Sequence, residues 1–322
     1  MAIERLLGLF TYDRIYIVTI AEQVSELKKE CPEIPDENFI VEPLPRGTAS
    51  VVGLGAVALE NRDPQAIMVV LTSDHYIQEK QVYHNLLRAA IGVASEDYLV
   101  TLGITPTYPS TGYGYIQHGE MLGQYQGFPA YLVKKFKEKP GETEAKVFLD
   151  QGDHDWNSGM FVWKVDKILR EFDRQMPELA AGLWEISASW KTPDKDAVIN
   201  RVWPEIKPQT IDYGIMENAD RVAVIPATGL GWSDVGSWDS LFDVLPLDND
   251  GNLFSGGEHI SLDTSDTLVL SRNSHRLVAT IGTSNLVIID TGDALLVCHR
   301  SQTQKVREIV NYLKKSNRTE YL

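Results

Sequence analysis

The fold class is indicated by residues 67–75, which read Ile67-Met68-Val69-Val70-Leu71-Thr72-Ser73-Asp74-His75. The apolar residues at the start of this stretch are typical of a short, buried strand, and a helix-like stretch follows at residues 81–94. In open α/β sheets, ligands bind at the carboxyl ends of the strands. Asp74 therefore stands where a functional carboxylate is expected.

Strand and helix patterns alternate through the first two-thirds of the chain. Strands are predicted at residues 13–19, 38–42, 67–71 and 98–103, and helices at residues 22–30, 47–61 and 81–94. This alternation predicts a mostly parallel sheet with right-handed crossovers. Antiparallel strands are predicted at 113–118 and 131–136, helices at 167–175, 178–190 and 194–202, and a return strand at 221–225.

The pattern changes at the turn-rich segment Asp248-Asn249-Asp250-Gly251-Asn252. Short apolar strands follow at residues 259–262, 267–270, 277–280, 286–289 and 294–297, with polar turns between them. Evenly spaced strands without intervening helices predict an all-β unit, and a stacked solenoid would bury each strand against its neighbour. A helix at residues 304–315 closes the chain.

The composition is that of a globular protein and argues against several classes of partner. The chain has 322 residues, of which 43% are hydrophobic and 23% are charged, which is enough for a large core and two domains. A net charge of −15 argues against nucleic acid or an anionic membrane as the main partner. Cys31 and Cys298 provide neither a disulfide framework nor a zinc spacing. Since no apolar run could cross a membrane and no signal peptide is visible, we expect a cytoplasmic protein.

A second acid, Asp234, lies in the segment Gly231-Trp232-Ser233-Asp234-Val235-Gly236-Ser237-Trp238. Its glycines and tryptophans predict a tight, packed loop that presents the carboxylate and enters a helix near Ser237. Two carboxylates on rigid loops suit Mg²⁺, which prefers one or two carboxylates together with phosphate oxygens. Spacing alone leaves structural roles open for both acids: Asp74 as the cap of the next helix, and Asp234 as an acceptor within its own turn.

Five further segments place polar groups or glycines at predicted strand ends. They are Glu42-Pro43-Leu44-Pro45-Arg46-Gly47-Thr48, Thr111-Gly112-Tyr113-Gly114-Tyr115-Ile116, Phe136-Lys137-Glu138-Lys139-Pro140, Trp156-Asn157-Ser158-Gly159-Met160-Phe161 and Ile211-Asp212-Tyr213-Gly214-Ile215-Met216-Glu217. Alternate glycines let a ligand approach the backbone, and Lys139 can act as a point charge on a phosphate. Asn157 suits sugar hydroxyls, with the aromatics packing a loop, and Asp212 suits a helix cap. An ordinary turn, a β-bulge and a solvated charge run are the structural alternatives.

In this order, the segments resemble the mannose-1-phosphate guanylyltransferase family of sugar nucleotidyltransferases. TSDH, TGYGYI, EKP, WNSGMF, IDYGIME and GWSDVGSW all stand in family order, from near the start of the chain to its end. The resemblance implies an α/β fold: a Rossmann-like nucleotidyltransferase domain with a mixed sheet over residues 1–248. It also implies a C-terminal left-handed β-helix with a closing helix over residues 249–322.

The resemblance implies a role for each motif residue. Asp74 and Asp234 match the family's magnesium-binding acids, and Lys139 matches the lysine that meets the sugar phosphate; these three are the predicted catalytic residues. Glu138 and Asn157 match positions that hold hexose hydroxyls. Further substrate contacts are implied at Glu42 and Thr48 for the guanine and nucleotide, at Gly112, Tyr113 and Gly114 beneath the sugar, and at the neighbouring Ser73 and Ser158.

One departure concerns the start of the sequence. The family opens with a strand and a glycine-rich loop whose Arg and downstream Lys hold the triphosphate, whereas Met1 begins within the helix that would follow. Misplacing the triphosphate by about an ångström can cost on the order of a hundredfold in rate. We therefore expect the chain as written to be inactive, or nearly so.

The reaction implied by the resemblance is Mg²⁺-dependent transfer of GMP from GTP to mannose 1-phosphate, giving GDP-mannose and pyrophosphate. The acceptor phosphate is itself the nucleophile, so no Ser-His or Cys-His arrangement is required. Two alternatives stay open: a different nucleoside triphosphate or hexose 1-phosphate, and a non-catalytic subunit that binds sugar nucleotides. We also expect a homodimer supported by the solenoid strands, and no nucleic-acid or membrane partner.

Overall fold

The structure is a computed structural model that describes residues 2–236, 238–272 and 276–321. The first elements in chain order are β1 (Ile17–Ile20), α1 (Ala21–Glu30), β2 (Phe39–Glu42), α2 (Thr48–Arg62), β3 (Ile67–Val70), β4 (Tyr76–Ile77), α3 (Lys80–Ser95), β5 (Leu99–Ile104), β6 (Tyr115–Tyr125), β7 (Phe128–Lys137), α4 (Glu142–Gln151) and β8 (His154–Lys164). They are followed by α5 (Val165–Gln175), α6 (Pro177–Ser189), α7 (Lys195–Val202), α8 (Ile211–Gly214), β9 (Val222–Pro226), β10 (Trp232–Ser233) and α9 (Leu241–Val244). The last elements are β11 (Leu253–Ser255), β12 (Glu258–Leu262), β13 (Leu268–Ser271), β14 (Leu277–Ile281), β15 (Leu286–Asp290), β16 (Leu295–His299) and α10 (Val306–Lys315).

The chain divides into two compact units. The first comprises the residues up to Ser73 together with Gln78–Leu230, and the second comprises Asp74–Ile77 together with the residues from Gly231 onward. The compact units divide at Leu230, before the turn-rich segment that precedes β11. The domain boundary that the sequence places after residue 248 stays a prediction.

A six-stranded mixed sheet forms the centre of the first unit. Its strand order is β3-β8-β5-β9-β7-β6, and β8 also pairs with β6. Of the pairings in this sheet, β5 with β9 is parallel and the others are antiparallel. The mixed sheet is confirmed, but the expectation of a mostly parallel sheet is wrong. The reason is that β8 runs antiparallel between β3 and β5, while β1 and β2 form a separate parallel pair.

Local sequence signals set several element ends in this unit. Gln126 and Gly127 both have positive φ and form the two-residue turn between β6 and β7, which matches the twist of a hairpin. Pro177 occupies the first position of α6, where its missing N–H costs nothing, and α5 ends just before it. The strand predicted at 13–19 is shorter than expected, because Tyr12–Arg14 forms a 3₁₀ turn and β1 begins at Ile17.

The core of the first unit packs helices against the mixed sheet. Helix α2 contacts α5 and α6, and its buried face is rich in small residues such as Ala49 and Ala56. The largest fully buried side chains include Trp163 on β8 and Trp203, which follows α7. Burial of aromatic and aliphatic side chains on this scale supplies the main favourable free energy of folding.

The second unit contains two stacks of short strands that form a β-helix. β11, β13 and β15 pair in parallel, β12 pairs in parallel with β14, and β16 closes the first stack as an antiparallel strand. Leu253, Leu268 and Val287 lie in register and form one buried column. The predicted β-helix is confirmed, β11 is an additional strand, and the left-handed sense stays a prediction.

Two sequence interpretations near the motifs need correction. The segment Trp156–Phe161 is not a loop but lies within β8, which sequence reasoning missed together with α4. The closing helix begins at Val306, after a 3₁₀ stretch at Arg300–Lys305. The predicted helix start near Ser237 falls outside the described residues.

The helices differ from membrane spans in length and composition. Within residues 2–236, 238–272 and 276–321, no helix combines the length and the apolar character needed to cross a bilayer.

Gly47→Ala is expected to destabilise the first unit. Gly47 precedes α2 with φ +84°, and a Cβ there would lie 2.4 Å from the backbone oxygen of Gln209. We expect a loss of about 1–3 kcal/mol in the free energy of unfolding, measured from urea denaturation midpoints. Gly127→Ala is the matched control, because Gly127 has φ +85° with open space around the added carbon. Equal destabilisation by the two variants would contradict the steric argument.

Candidate active site

Two of the predicted site residues flank a short antiparallel ladder in the second unit. β10 pairs with β4 through Trp232 opposite Ile77 and Ser233 opposite Tyr76. Asp74 precedes this ladder and Asp234 directly follows Ser233. In an antiparallel pair, both positions extend from the same end, so the ladder brings the two acids together although they are far apart in the chain.

The two carboxylates are held differently. Asp74 is exposed, and its side chain forms no hydrogen bond or ion pair with the described residues. It does not cap the next helix, because α3 starts after Glu79 without a side-chain cap. Asp234 Oδ1 accepts a hydrogen bond from the Gly236 amide at 3.2 Å. The alternative role of Asp74 as a helix cap is therefore wrong, whereas the alternative role of Asp234 as an acceptor within its own turn is correct in part.

The side chains of His75 and Trp232 hold the two strands of the ladder together. Sequence reasoning gave neither residue a role of its own. The Trp232 indole N–H donates to His75 Nδ1 at 3.1 Å, and the two rings meet edge to face with centroids 5.2 Å apart. Since an indole N–H can only donate, this bond assigns the acceptor role to Nδ1. The contact fixes the backbone after Asp74 and before Asp234.

Backbone strain is concentrated immediately after Asp234. Val235 has φ +45°, which is rare for a β-branched residue, and its amide donates to Ser233 Oγ at 3.3 Å. Such strain persists where the surrounding structure imposes it, and it is concentrated at functional sites.

The pair of acids fits a magnesium ion. No group of three or more His, Cys, Asp or Glu residues that could hold a metal occurs in the described part of the chain. Mg²⁺ does not need such a cage, since it commonly takes one or two carboxylates and completes its shell with water and phosphate oxygens. Asp74 has both oxygens available for such an ion, and Asp234 has its Oδ2.

A second group of predicted residues converges in the first unit. Gly114 precedes β6, Glu138 follows β7 and Asn157 lies on β8. The backbone amide of Asn157 donates to the Gly114 carbonyl at 2.8 Å. A Cβ on Gly114 would lie 2.3 Å from Glu138 Oε2 and 3.4 Å from Asn157 Cβ. Glycine is therefore needed here to leave room for the carboxylate.

Glu138 is an unusual carboxyl group. Its Oε2 is buried and has no hydrogen-bond partner among the described residues, and its backbone amide donates to Glu217 Oε1 at 3.2 Å. Burial raises the pKa of Glu138 to about 7, the negative charges of Asp212 and Glu217 contribute in the same direction, and Lys139 opposes them. A buried carboxyl with a free oxygen and a pKa near neutrality is a strong candidate for contact with a ligand.

Lys139 lies next to this carboxyl and remains accessible. Its side chain is 62% exposed, and its Nζ lies 3.9 Å from Glu138 Oε1. The residue has φ +44°, a conformation that turns the chain sharply after β7. The flexible ammonium group is thus free to meet an anionic ligand.

Ser158 and Gly112 use their polar groups within the chain. Ser158 is buried, its hydroxyl donates to the Leu102 carbonyl at 2.7 Å and it accepts from the Met160 amide at 3.2 Å. The Gly112 amide donates to Ser110 Oγ at 3.1 Å. The structure gives both residues roles in local backbone geometry, and their contacts with substrate stay predictions.

Tyr113 forms part of an aromatic cluster beside the glycines. The Tyr113 and Tyr108 rings each lie 4.9 Å from the Trp156 ring, measured between centroids. Edge and tilted contacts of this kind stabilise packing beyond simple burial. The cluster fixes the loop before β6, and contact of Tyr113 with a sugar stays a prediction.

Glu42, Thr48 and Ser73 are the remaining predicted residues. Glu42 ends β2, is buried, and has an Oε2 without a partner among the described residues; burial raises its pKa. Thr48 Oγ1 accepts from the Ile211 amide at 2.9 Å, which anchors α8 to the start of α2. Ser73 is exposed. Their contacts with nucleotide or sugar stay predictions.

Sequence reasoning missed the contact that Asp212 makes with Asn157. It treated Asp212 as a helix cap, but Thr210 caps α8 by accepting from the Tyr213 amide at 3.4 Å. Asp212 Oδ1 instead accepts from Asn157 Nδ2 at 2.7 Å. The IDYGIME segment carried the signal, since it placed Asp212 and Glu217 together, but nothing in the spacing pointed to Asn157.

Comparison with known proteins gives two family matches. Residues 2–251 match the family described as Nucleotidyl transferase. Residues 257–313 match the domain described as MannoseP isomerase/GMP-like beta-helix domain, which agrees with the strand stacks of the second unit.

Similar proteins cover nearly the whole chain. A mannose-1-phosphate guanylyltransferase from Klebsiella pneumoniae is 37% identical over 99% of the chain, which corresponds to 67% of that protein. One from Escherichia coli strain K12 is 34% identical over 94% of the chain and 62% of its own length. The chain therefore spans about two-thirds of the length of these curated relatives.

Solved structures agree with the fold. A crystal structure from Thermus thermophilus, named mannose-1-phosphate geranyltransferase, superimposes with a TM-score of 0.85 and 32% identity over 97% of the chain and 88% of that protein. A mannose-6-phosphate isomerase from Helicobacter pylori is 24% identical with a TM-score of 0.61, covers 72% of the chain and 89% of its own, and supports the fold alone. With a family match across the first unit and relatives of this similarity across both units, the chain belongs to the nucleotidyl transferase family.

Proposed function

We propose that the chain serves Mg²⁺-dependent transfer of GMP from GTP to mannose 1-phosphate, with GDP-mannose and pyrophosphate as products. The observation that carries the sugar-phosphate half is the convergence of Gly114, Glu138 and Asn157 next to the accessible Lys139. A carboxyl and an amide suit sugar hydroxyls, and the ammonium suits the phosphate. The named relatives support the choice of substrates.

The proposed chemistry needs no nucleophile from the protein. An oxygen of the acceptor phosphate forms a bond to the α-phosphorus of GTP, and the bond to the oxygen that bridges the α- and β-phosphorus breaks, releasing pyrophosphate. Asp74 and Asp234 would hold Mg²⁺, which when bound neutralises charge on the phosphates. Lys139 orients the acceptor phosphate, while Glu138 and Asn157 fix the sugar ring.

The overall test is formation of GDP-mannose from GTP and mannose 1-phosphate in the presence of Mg²⁺, compared with a panel of other nucleotides and hexose 1-phosphates. Preferred turnover of another pair would replace these substrates within the same class. Binding of GDP-mannose without turnover, even by a version with a relative's N-terminal strand and glycine-rich loop restored, would favour a non-catalytic subunit. A cytoplasmic location and a homodimer stay predictions; size measurement in solution tests the second.

Removing either acid is expected to reduce turnover without unfolding the protein. In a version of the chain with a relative's N-terminal strand and glycine-rich loop restored, Asp74→Asn and Asp234→Asn should each lower kcat/KM on the order of a hundredfold, because each removes a negative charge from the proposed magnesium site. In Asp234→Asn, the new amide oxygen can still accept the hydrogen bond from Gly236, so the turn is preserved. The measurement is the initial rate as a function of Mg²⁺ concentration.

Asp150→Asn is the control for these variants, because it removes the same charge from an exposed position at the end of α4. It should behave as wild type. Near-normal rates for both Asp74→Asn and Asp234→Asn at saturating Mg²⁺ would overturn the metal assignment.

Lys139→Ala is expected to weaken sugar-phosphate binding selectively. Loss of a charge-assisted contact should raise the Kd for mannose 1-phosphate roughly ten- to a hundredfold and leave the Kd for GTP nearly unchanged. Isothermal titration calorimetry measures both values without requiring turnover. Lys134→Ala removes an exposed lysine from β7 and serves as the control. An equal loss of affinity for both ligands would indicate a structural role for Lys139.

Sugar-phosphate binding is expected to strengthen as the pH rises through about 7. The pKa of Glu138 is raised to about 7 in the free protein, and a sugar hydroxyl that donates to the carboxylate favours the ionised form. Binding therefore lowers this pKa, so the complex holds fewer protons and its formation is favoured at higher pH. Calorimetry in buffers of different ionisation enthalpy should show proton release near pH 7 and none for Glu138→Gln. Proton uptake by the wild type would show that the bound carboxyl is protonated instead.

A further inference from the structure

Three hydrogen bonds determine which way the Asn157 side-chain amide points. Asn157 Oδ1 accepts from the Gly159 amide at 3.2 Å and from Thr101 Oγ1 at 3.1 Å, while Nδ2 donates to Asp212 Oδ1 at 2.7 Å. A backbone N–H can only donate, and an ionised carboxylate can only accept. The Gly159 and Asp212 partners thus require opposite ends of the amide, and together they exclude the flipped orientation.

This arrangement limits what Asn157 can offer to a ligand. Both lone pairs of Oδ1 are taken by Thr101 and Gly159, and one of the two N–H bonds of Nδ2 is taken by Asp212. A single N–H donor remains. The nearby Glu138 Oε2, which has no partner among the described residues, can accept. One sugar hydroxyl can therefore accept from Asn157 and donate to Glu138.

Asp212 is itself held firmly in place. It lies on α8, a short helix that is capped by Thr210 and anchored to α2 through the bond from the Ile211 amide to Thr48 Oγ1. Burial raises the pKa of Asp212, and the hydrogen bond from Asn157 opposes that shift by stabilising the ionised form. The carboxylate is thus a half-buried acceptor of the hydrogen bond from the Asn157 amide.

We propose that Asp212 is a positioning residue for the proposed sugar subsite, which comprises Gly114, Glu138, Lys139 and Asn157: it fixes Asn157 as a hydrogen-bond donor toward the ligand. The inference rests on the proposed function for the identity of the ligand, a hexose 1-phosphate. The orientation of the Asn157 amide and the effect of the Asp212 charge on the pKa of Glu138 are properties of the ligand-free chain.

The charged groups around Glu138 affect its pKa, and Asp212 is one of them. Asp212 on α8 and Glu217 after it both carry negative charge toward Glu138, Lys139 carries positive charge, and the Tyr213 hydroxyl is a further titratable neighbour. Of the neighbouring charges, Asp212 has the largest effect on the pKa of Glu138. Neutralising Asp212 should therefore lower that pKa, whereas Lys139 and Glu217 would still act in opposite directions.

Two substitutions at Asp212 distinguish a role in positioning Asn157 from a general effect on the folded structure. Asp212→Ala removes the acceptor for Nδ2, so that only the bonds from Gly159 and Thr101 to Oδ1 still hold the Asn157 amide, and it should raise the Kd for mannose 1-phosphate roughly ten- to a hundredfold. Asp212→Asn retains an acceptor oxygen and should recover most of that affinity, to within about fivefold of wild type. The Kd for GTP should change by less than about twofold in both. Calorimetry measures these values, with Asp150→Asn as the charge-matched control.

Carboxyl NMR titration of the ligand-free protein supplies the second measurement. In Asp212→Asn, the Glu138 titration midpoint should move to lower pH than in wild type, and Asp150→Asn should leave it unchanged. The Asn157 side-chain amide protons should exchange with solvent more quickly in Asp212→Ala. A purely structural role would change neither the midpoint of Glu138 in Asp212→Asn nor the relative affinities for the two ligands.

The outcomes distinguish this inference from the proposed function. If the wild type binds no hexose 1-phosphate, the proposed function fails, while the Glu138 midpoint and Asn157 exchange still decide the role of Asp212. Unchanged values of both in the Asp212 variants would overturn the inference. So would equal losses of affinity for GTP and mannose 1-phosphate in Asp212→Ala.

Discussion

The sugar subsite depends on the antiparallel placement of β8 within the mixed sheet. β8 pairs with β3, β5 and β6, and the register with β5 shifts between Thr101 and Gly103. This irregularity occurs where Asn157 lies opposite Gly103, and β-bulges commonly re-aim side chains in this way. The backbone of Asn157 is tied to Gly114 on one side, and its amide is tied to Thr101 and Asp212 on the other. A change in β8 would therefore misplace Asn157 relative to Gly114, Thr101 and Asp212.

The proposed sugar subsite also has an electrostatic constraint, because it would place an anionic ligand among acids. Glu138, Asp212 and Glu217 face the same region, and only Lys139 among the charges acting on Glu138 is positive. Placing like charges close together in a poorly solvated site raises the free energy, and the increase is smaller when one carboxyl keeps its proton. The raised pKa of Glu138 does this near neutral pH. This holds for the ligand-free protein; on binding, a sugar hydroxyl that donates to Glu138 would take the place of that proton, and the exposed ammonium of Lys139 can meet the phosphate.

The sequence predicted the regular elements well, and its misses have physical reasons. The helices α2, α5 and α6 and the strands of the β-helix follow from apolar periodicity and turn residues, and the structure confirms them. β8 was missed because Asn157, Ser158 and Gly159 are depleted in strands, and Gly159 has φ +68°. At the site, Gly114, Glu138 and Asn157 were predicted from the family motifs and converge. Asp212 could not be assigned from sequence, because its contact with Asn157 depends on how α8 packs against α2.

The acids of the second unit lie at one end of a short ladder. This ladder has two residue pairs, a side-chain hydrogen bond between Trp232 and His75, and a strained Val235 beside Asp234. A two-stranded ladder this short is not stable by itself, so its geometry depends on these side-chain contacts and on the unit around it. The exposed Asp74 has no described partner to orient it. A divalent cation bound by both acids would link the two strands at the end of the ladder where the acids lie and would offset the repulsion between the carboxylates. Ordering of this turn is therefore expected to accompany metal binding, whereas the hydrogen bonds around Asn157 are already formed without a ligand.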